Sequence, residues 1–169
     1  MFTRNYYNIL KSFLMKAMIT NGVTLPNGNS ADCTYGGSTG SHLQIAPNIN
    51  GLYTTQNAGY VTVGSGSTPP TLDDYKVENP LSYIASSGLT TTTDENLSML
   101  KTFGIVNQGT ESCTIREVGL WGTSYYKNGN SYTNVVLIYR KVLDEPYTLA
   151  PGESGYMTLK FDPPAIPTI

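Results

Sequence analysis

Between Val135 and Val142 the chain is apolar on both parities: Val135, Leu137 and Tyr139 on one, Val136, Ile138 and Val142 on the other. Successive side chains of a strand point to opposite faces, so this run predicts a strand covered on both sides. Met157, Leu159 and Phe161 alternate with Tyr156, Thr158 and Lys160, which predicts a half-buried strand. Cys113 and Ile115 sit on odd positions but Val118 and Leu120 on even ones, so the apolar phase slips at Glu117. A β-bulge there accounts for the slip. These three segments, 113–121, 135–142 and 155–161, are expected to form a meander on which the rest of the chain packs.

The helical period appears once. Tyr6, Ile9, Leu10, Phe13, Leu14, Ala17 and Met18 recur at steps of three and four, with Lys11, Ser12 and Lys16 on the other side. Thr3 is the expected N-cap and Asn21-Gly22 the expected stop. Val23 to Leu25 reads as a short strand ended by Pro26, and Asn27-Gly28-Asn29-Ser30 as a turn. Further strands are expected at 60–64, 81–92 with a break at Gly88, and 97–105 with an irregularity near Leu100. Thr90 to Thr93 suit an exposed edge. Gln108 to Ser112 reads as a hairpin loop, Asn128-Gly129 as a turn, and Pro151-Gly152 as the centre of a type II turn.

Composition supports this pattern. Among 169 residues, apolar types make up 39% and charged types only 13%, with Thr, Ser, Asn, Gly and 13 Tyr filling the gap. Strand-favouring residues among many turn signals predict an all-β fold. The expectation is one antiparallel β-sandwich, jelly-roll-like, of about seven to eight strands. The helix would occupy 1–22, the sandwich 23–162 and an extended Pro-rich tail 163–169. A net charge of −2 leaves no basic footprint for nucleic acid. No apolar run approaches the ~20 residues of a membrane span, and the first residues lack the pattern of a signal peptide.

Candidate chemistry is sparse. Cys33 and Cys113 read as free buried thiols. The loop Gly36-Gly-Ser-Thr-Gly40 lacks the Lys-Ser/Thr and following helix of a phosphate cradle, and His42 has no nucleophile or acidic orienter in reach. Thr71 and Asp74 are spaced as a capping box for one helical turn over 72–75, which explains Asp73-Asp74 without an acid/base pair. No catalytic, cofactor or metal residues are expected, and the chain is expected not to be an enzyme.

Two stretches carry a resemblance. Val61-Thr-Val-Gly-Ser-Gly-Ser-Thr-Pro-Pro-Thr-Leu-Asp-Asp-Tyr-Lys-Val-Glu-Asn-Pro80 resembles a segment of small virion structural proteins of tailed bacteriophages. Arg116-Glu-Val-Gly-Leu-Trp121, Leu137-Ile-Tyr-Arg-Lys-Val142 and Leu149-Ala-Pro-Gly-Glu-Ser154 follow in order. They resemble the Glu-hydrophobic-Gly-Leu-aromatic, Arg-hydrophobic and Pro-Gly-Glu pattern of phage tail, collar and head-fibre proteins. Together they cover the last two thirds of the chain. The resemblance implies a non-enzymatic assembly role in the virion, after assembly in the bacterial cytoplasm, and transfers no catalytic residues.

On this reading the partners are other virion proteins and further copies of the chain. Tyr6, Tyr7, Phe13 and Met18 of the helix and Pro163, Pro164 and Ile166 of the tail are the candidate assembly contacts. Removing residues 1–19 or 163–169 is expected to leave the sandwich folded and to abolish assembly. The alternative is a carbohydrate- or cell-surface-binding module, with Trp121, Tyr125 and Tyr126 stacking on sugar rings.

Overall fold

A computed structural model describes residues 1–15, 19–33, 61–81, 84–93, 99–128 and 130–161. Within them lie α1 (Arg4–Met15) and eight strands. The strands are β1 (Ile19–Thr24), β2 (Ser30–Cys33), β3 (Val61–Gly64), β4 (Ile84–Thr93), β5 (Met99–Asn107), β6 (Cys113–Asn128), β7 (Asn130–Leu149) and β8 (Ser154–Phe161). Among the described residues the chain is mostly β with one short helix, and every strand pairing is antiparallel. β1 and β2 form a hairpin; two three-stranded sheets have the orders β3-β6-β7 and β4-β5-β8.

The expected meander is only half formed. β6 and β7 make a long hairpin, but β8 leaves it and pairs with β5. Buried Asn107, at the end of β5, explains the crossing. Its amide donates to the Leu149 and Glu111 carbonyls, and its side-chain oxygen accepts the Gly109 N–H. Its backbone is tied to the turn before β8: Gly152 N–H donates to the Asn107 carbonyl and Asn107 N–H to the Glu153 carbonyl. The turn itself forms as expected, with Glu153 N–H on the Ala150 carbonyl and Gly152 at φ +73°. By the same junction, 108–112 is a link between sheets and not a hairpin loop. Once β8 lies beside β5, Phe103 faces Met157 and both are buried. The register of β5 runs unbroken past Leu100; the irregularity falls in β4, between Ser87 and Thr90, where Gly88 predicts a break.

The N-terminal segment is bound into its own chain. Phe2 bridges Tyr139, Arg140 N–H donates to the Met1 carbonyl, and Thr3 N–H donates to the Ile138 carbonyl, so residues 1–3 line the free edge of β7. Thr3 precedes the helix as expected, but its hydroxyl donates to the Leu137 carbonyl at 2.6 Å. α1 then packs on β1, β2 and β7. Ile9 is buried, Tyr6 and Leu10 half-buried. Ser12, expected on the wet side, is fully buried. Asn5, Asn8 and Ser12 form a polar stripe at helical spacing that serves strand backbone. Asn5 exchanges bonds with Thr24 N–H and carbonyl at 2.7 and 2.9 Å. Asn8 donates to the Gly22 carbonyl at 2.7 Å and Ser12 to the Cys33 carbonyl at 3.4 Å.

Among the described residues the helix spans Arg4–Met15, and Asn21-Gly22, expected as its stop, lies inside β1. There the register with β2 shifts, Asn21 takes φ 51°, and a Cβ at Gly22 would come within 2.9 Å of the Cys33 side chain. The Asn-Gly pair therefore makes a bulge. The turn at 27–30 closes the hairpin, with Gly28 at φ 85°.

One contiguous apolar cluster draws on both three-stranded sheets, on β1–β2 and on α1. Phe103, Ile105, Met157 and Leu159 meet Val61, Val63, Ile115, Val118, Leu120, Val136 and Ile138, with Ile9, Val23 and Cys33 beside them. Truncating Ile138 or Leu159 to Ala should each cost about 2–5 kcal/mol, read as a fall in the urea midpoint. Both cysteines are free and buried. Burial pushes the Cys113 thiol up, against a lowering hydrogen bond from the Leu149 backbone. A thiol reagent should react slowly with the native protein and with both thiols at once in urea without reductant; no reaction until reductant is added would show a disulfide.

Candidate functional site

The second face of the β3-β6-β7 sheet carries a cluster of four charged side chains, Arg140, Glu117, Asp74 and Glu78. The phase slip at Glu117 coincides with a shift of the β6–β7 register between Ile115 and Glu117, but the extra residues lie on β7, between Val142 and Tyr147, and not on β6; the register shifts again between Leu120 and Trp121. After the first shift, Glu117, Gly119 and Trp121 point away from the main core. Arg140 and Leu137 lie opposite Gly119 and Trp121, and Thr62 and Gly64 of β3 lie opposite Gly119 and Glu117. Val77, Trp121, Val135 and Leu137 form a separate small apolar cluster on this face. Residues 65–80 run across it as a strap.

Arg140 is 2% exposed and Glu117 is fully buried. Their side chains pair at 2.7 Å, Nε to Oε2. The other Glu117 oxygen accepts the Gly66 N–H at 3.1 Å. Arg140 Nη1 donates to Asp74 Oδ2 at 2.8 Å, and Nη2 lies 3.3 Å from Glu78 Oε2. Glu78 Oε2 also accepts the Thr68 N–H at 3.3 Å. The guanidinium thus joins the sheet to the limb of the strap that follows its bend, while Glu117 holds Gly66 on the limb before it. A Cβ on Gly64 or Gly66 would come within 2.5 Å of the Glu117 carboxylate, so only glycine lets the backbone lie there.

Burial alone would raise the Asp74 carboxyl, but hydrogen bonds from Arg140 and Thr71 overcome it and hold it below the usual carboxylate range. Burial alone would lower Arg140, and its bonds to Asp74 and Glu117 more than offset this, so it stays charged. Asp74 does bond Thr71, side chain to side chain at 2.8 Å and to its N–H at 3.0 Å. The box closes a turn over Leu72-Asp73, however, and no helical turn over 72–75 forms. Asp73 points elsewhere, to exposed Arg4 at 2.6 Å. The two neighbouring acids therefore do not converge.

Beside the strap is an open groove of about 800 Å³, lined by Pro26, Thr62, Gly66, Lys76, Asn79 and Trp121 among others. Trp121 is 3% exposed, and its Nε1–H donates to Thr62 Oγ1 at 2.8 Å. It anchors the small cluster and presents no open ring face for stacking on a sugar. Tyr125 and Tyr126 lie on β6, opposite Thr133 and Tyr132; their side chains are outside the described residues.

Of the expected assembly contacts, Tyr6 is half-buried and stacked on Phe2 at 4.3 Å, and Tyr7 is 45% exposed. The side chain of Phe13, the Gly36–Gly40 loop, His42, Met18, Pro163, Pro164 and Ile166 lie outside the described residues. Among the described residues the other large apolar side chains facing solvent are Met1, Met15, Leu72 and Tyr156. Among the described residues no group of three or more His, Cys, Asp or Glu is placed to hold a metal, and no helix is long and apolar enough to cross a membrane.

No protein-family model, curated protein or solved structure matches the chain.

Proposed function

We propose that this chain is a non-enzymatic structural subunit of a tailed-bacteriophage virion, of the tail, collar, neck or capsid-decoration kind. The observation that carries the reading is the meeting of three of the four motif segments behind the resemblance, 61–80, 116–121 and 137–142, at one buried ionic cluster. Gly66, Asp74 and Glu78 come from the first stretch, Glu117 from the second and Arg140 from the third. Every side-chain oxygen of Glu117 and Asp74 has a donor: Glu117 is held by Arg140 and by Gly66 of the strap, and Asp74 by Thr71 within the strap and by Arg140 of the sheet. Residues used in this way maintain shape, which is what an assembly subunit requires. We read the two three-stranded sheets, with their shared core, as the halves of a sandwich whose surface serves neighbours.

The contacts assigned to assembly change with the fold. Because α1 is docked on its own sheet, Tyr6 serves its own chain, and among the described residues Met1, Tyr7, Met15, Leu72 and Tyr156 are the large apolar side chains left for partners. Other virion proteins and further copies of this chain are the partners proposed. Antibodies against the folded protein, applied to purified particles of the phage that encodes it, should decorate one fixed position in electron micrographs. The reading fails if peptide mass spectrometry finds the protein absent from such particles. Saturable glycan binding, abolished by Tyr125→Ala and Tyr126→Ala in a protein absent from particles, would put the carbohydrate-binding alternative in its place.

A further inference from the structure

We propose that the strap, residues 65–80, is a latch that opens as a unit of its own while the sheets stay folded, baring Trp121 and Leu137. The inference does not depend on the virion assignment.

The strap is poor in what makes a segment open only with global unfolding. Between 65 and 80 its one buried apolar side chain is Val77, which packs with Trp121, Val135 and Leu137 outside the main core. Leu72 is exposed. Its two ends are tied to each other by Ser65 N–H on the Asn79 carbonyl, and its backbone joins the sheet just past the second end, where Leu81 N–H donates to the Val63 carbonyl. Segments with few buried apolar contacts and exposed backbone open at lower free energy than core strands.

Its polar ties concentrate on one pair in the sheet. Glu117 takes the Gly66 N–H, and Arg140 takes Asp74 and Glu78. When the strap lifts, Arg140 and Glu117 remain paired with each other, so the sheet is not left with a lone buried charge. A second contact lies at the far bend, where Arg4 N–H donates to the Leu72 carbonyl and the Arg4 side chain pairs with Asp73 in the open. That ion pair is exposed and contributes little. The strap therefore has a hydrogen-bonded base, a charge tie to Arg140 and Glu117 above it and a small apolar layer beneath.

Trp121 is the sole tryptophan, so fluorescence reports on the layer under the strap directly. Native-state hydrogen exchange of the full chain supplies the second readout, comparing the Ser65 and Gly66 amides with those of Ile105 and Val118 in the central strands. In the wild type, the strap amides should exchange faster than the core amides and with little dependence on denaturant. In Asp74→Asn/Glu78→Gln, which leaves Arg140 paired with Glu117, strap exchange should rise about tenfold, the size expected for loss of a charged hydrogen bond. Acrylamide should then quench Trp121 more strongly, with Ile105 and Val118 unchanged. The latch is overturned if Ser65 and Gly66 exchange together with Ile105 and Val118 in the wild type. It is equally overturned if the double variant shifts all four amides by the same factor or leaves Trp121 quenching unaltered.

Discussion

Arg140→Ala should lower stability by about 3–5 kcal/mol, because it removes one partner of a buried pair and leaves the other. Glu117 is fully buried, and without Arg140 its carboxylate keeps only the Gly66 N–H. Asp74 loses its tie in the same step. The fall should appear as a lower urea midpoint with an unchanged slope, since the main core is untouched. The Asp74 share of this stability depends on pH in a definite direction. Its carboxyl is depressed in the folded state, so the contribution is complete above the usual carboxylate range and is lost as pH falls through the depressed value. An Arg140→Ala midpoint equal to the wild type would mean that the guanidinium is dispensable.

Removing residues 1–15 should abolish the cooperative unfolding transition. The sequence alone points the other way, to a helix that can be cut off without harm to the sheets. In the fold, α1 contributes Ile9 to the main cluster and covers Val23 and Cys33, and truncating a buried Ile alone costs about 2–5 kcal/mol. Asn5, Asn8 and Ser12 add hydrogen bonds to β1 and β2 backbone, each contributing about 0.5–1.5 kcal/mol net. The Phe2 bridge to Tyr139 goes as well. Against a typical net stability of about 5–15 kcal/mol, that loss is most of what holds a domain together. A truncated chain that still unfolded in one sharp transition would show α1 to be an appendage.

The strand pattern was legible wherever the local alternation was decisive. The double-sided run at 135–142, the phase slip at Glu117 and the Pro151-Gly152 turn each appear where the residues place them. Alternation tells which face of a strand is buried but not which strand lies beside it. The neighbour of β8 is set by Asn107, whose bonds to chain on both sides of the crossing have no local signature. The polar stripe Asn5, Asn8, Ser12 was available at helical spacing; it flanks buried Ile9 and carries no hydrophobic signal of its own. The ionic cluster also left a trace. An Arg inside a run covered on both faces must find a buried acid, and a Glu at the point where the apolar phase slips is the natural partner. Which strap residues complete the cluster depends on contacts across more than sixty positions, as between Asp74 and Arg140.

The most direct test of the account is a double-mutant cycle on Arg140→Met and Glu117→Leu, measured by urea unfolding. If these two residues join the motif segments as one buried pair, each single change strands a charge or its partner. The double change, apolar on both sides, should then lie closer to the wild type than either single variant. Single costs that simply add in the double variant would contradict the pairing on which the cluster, the strap and the proposed role in assembly all rest.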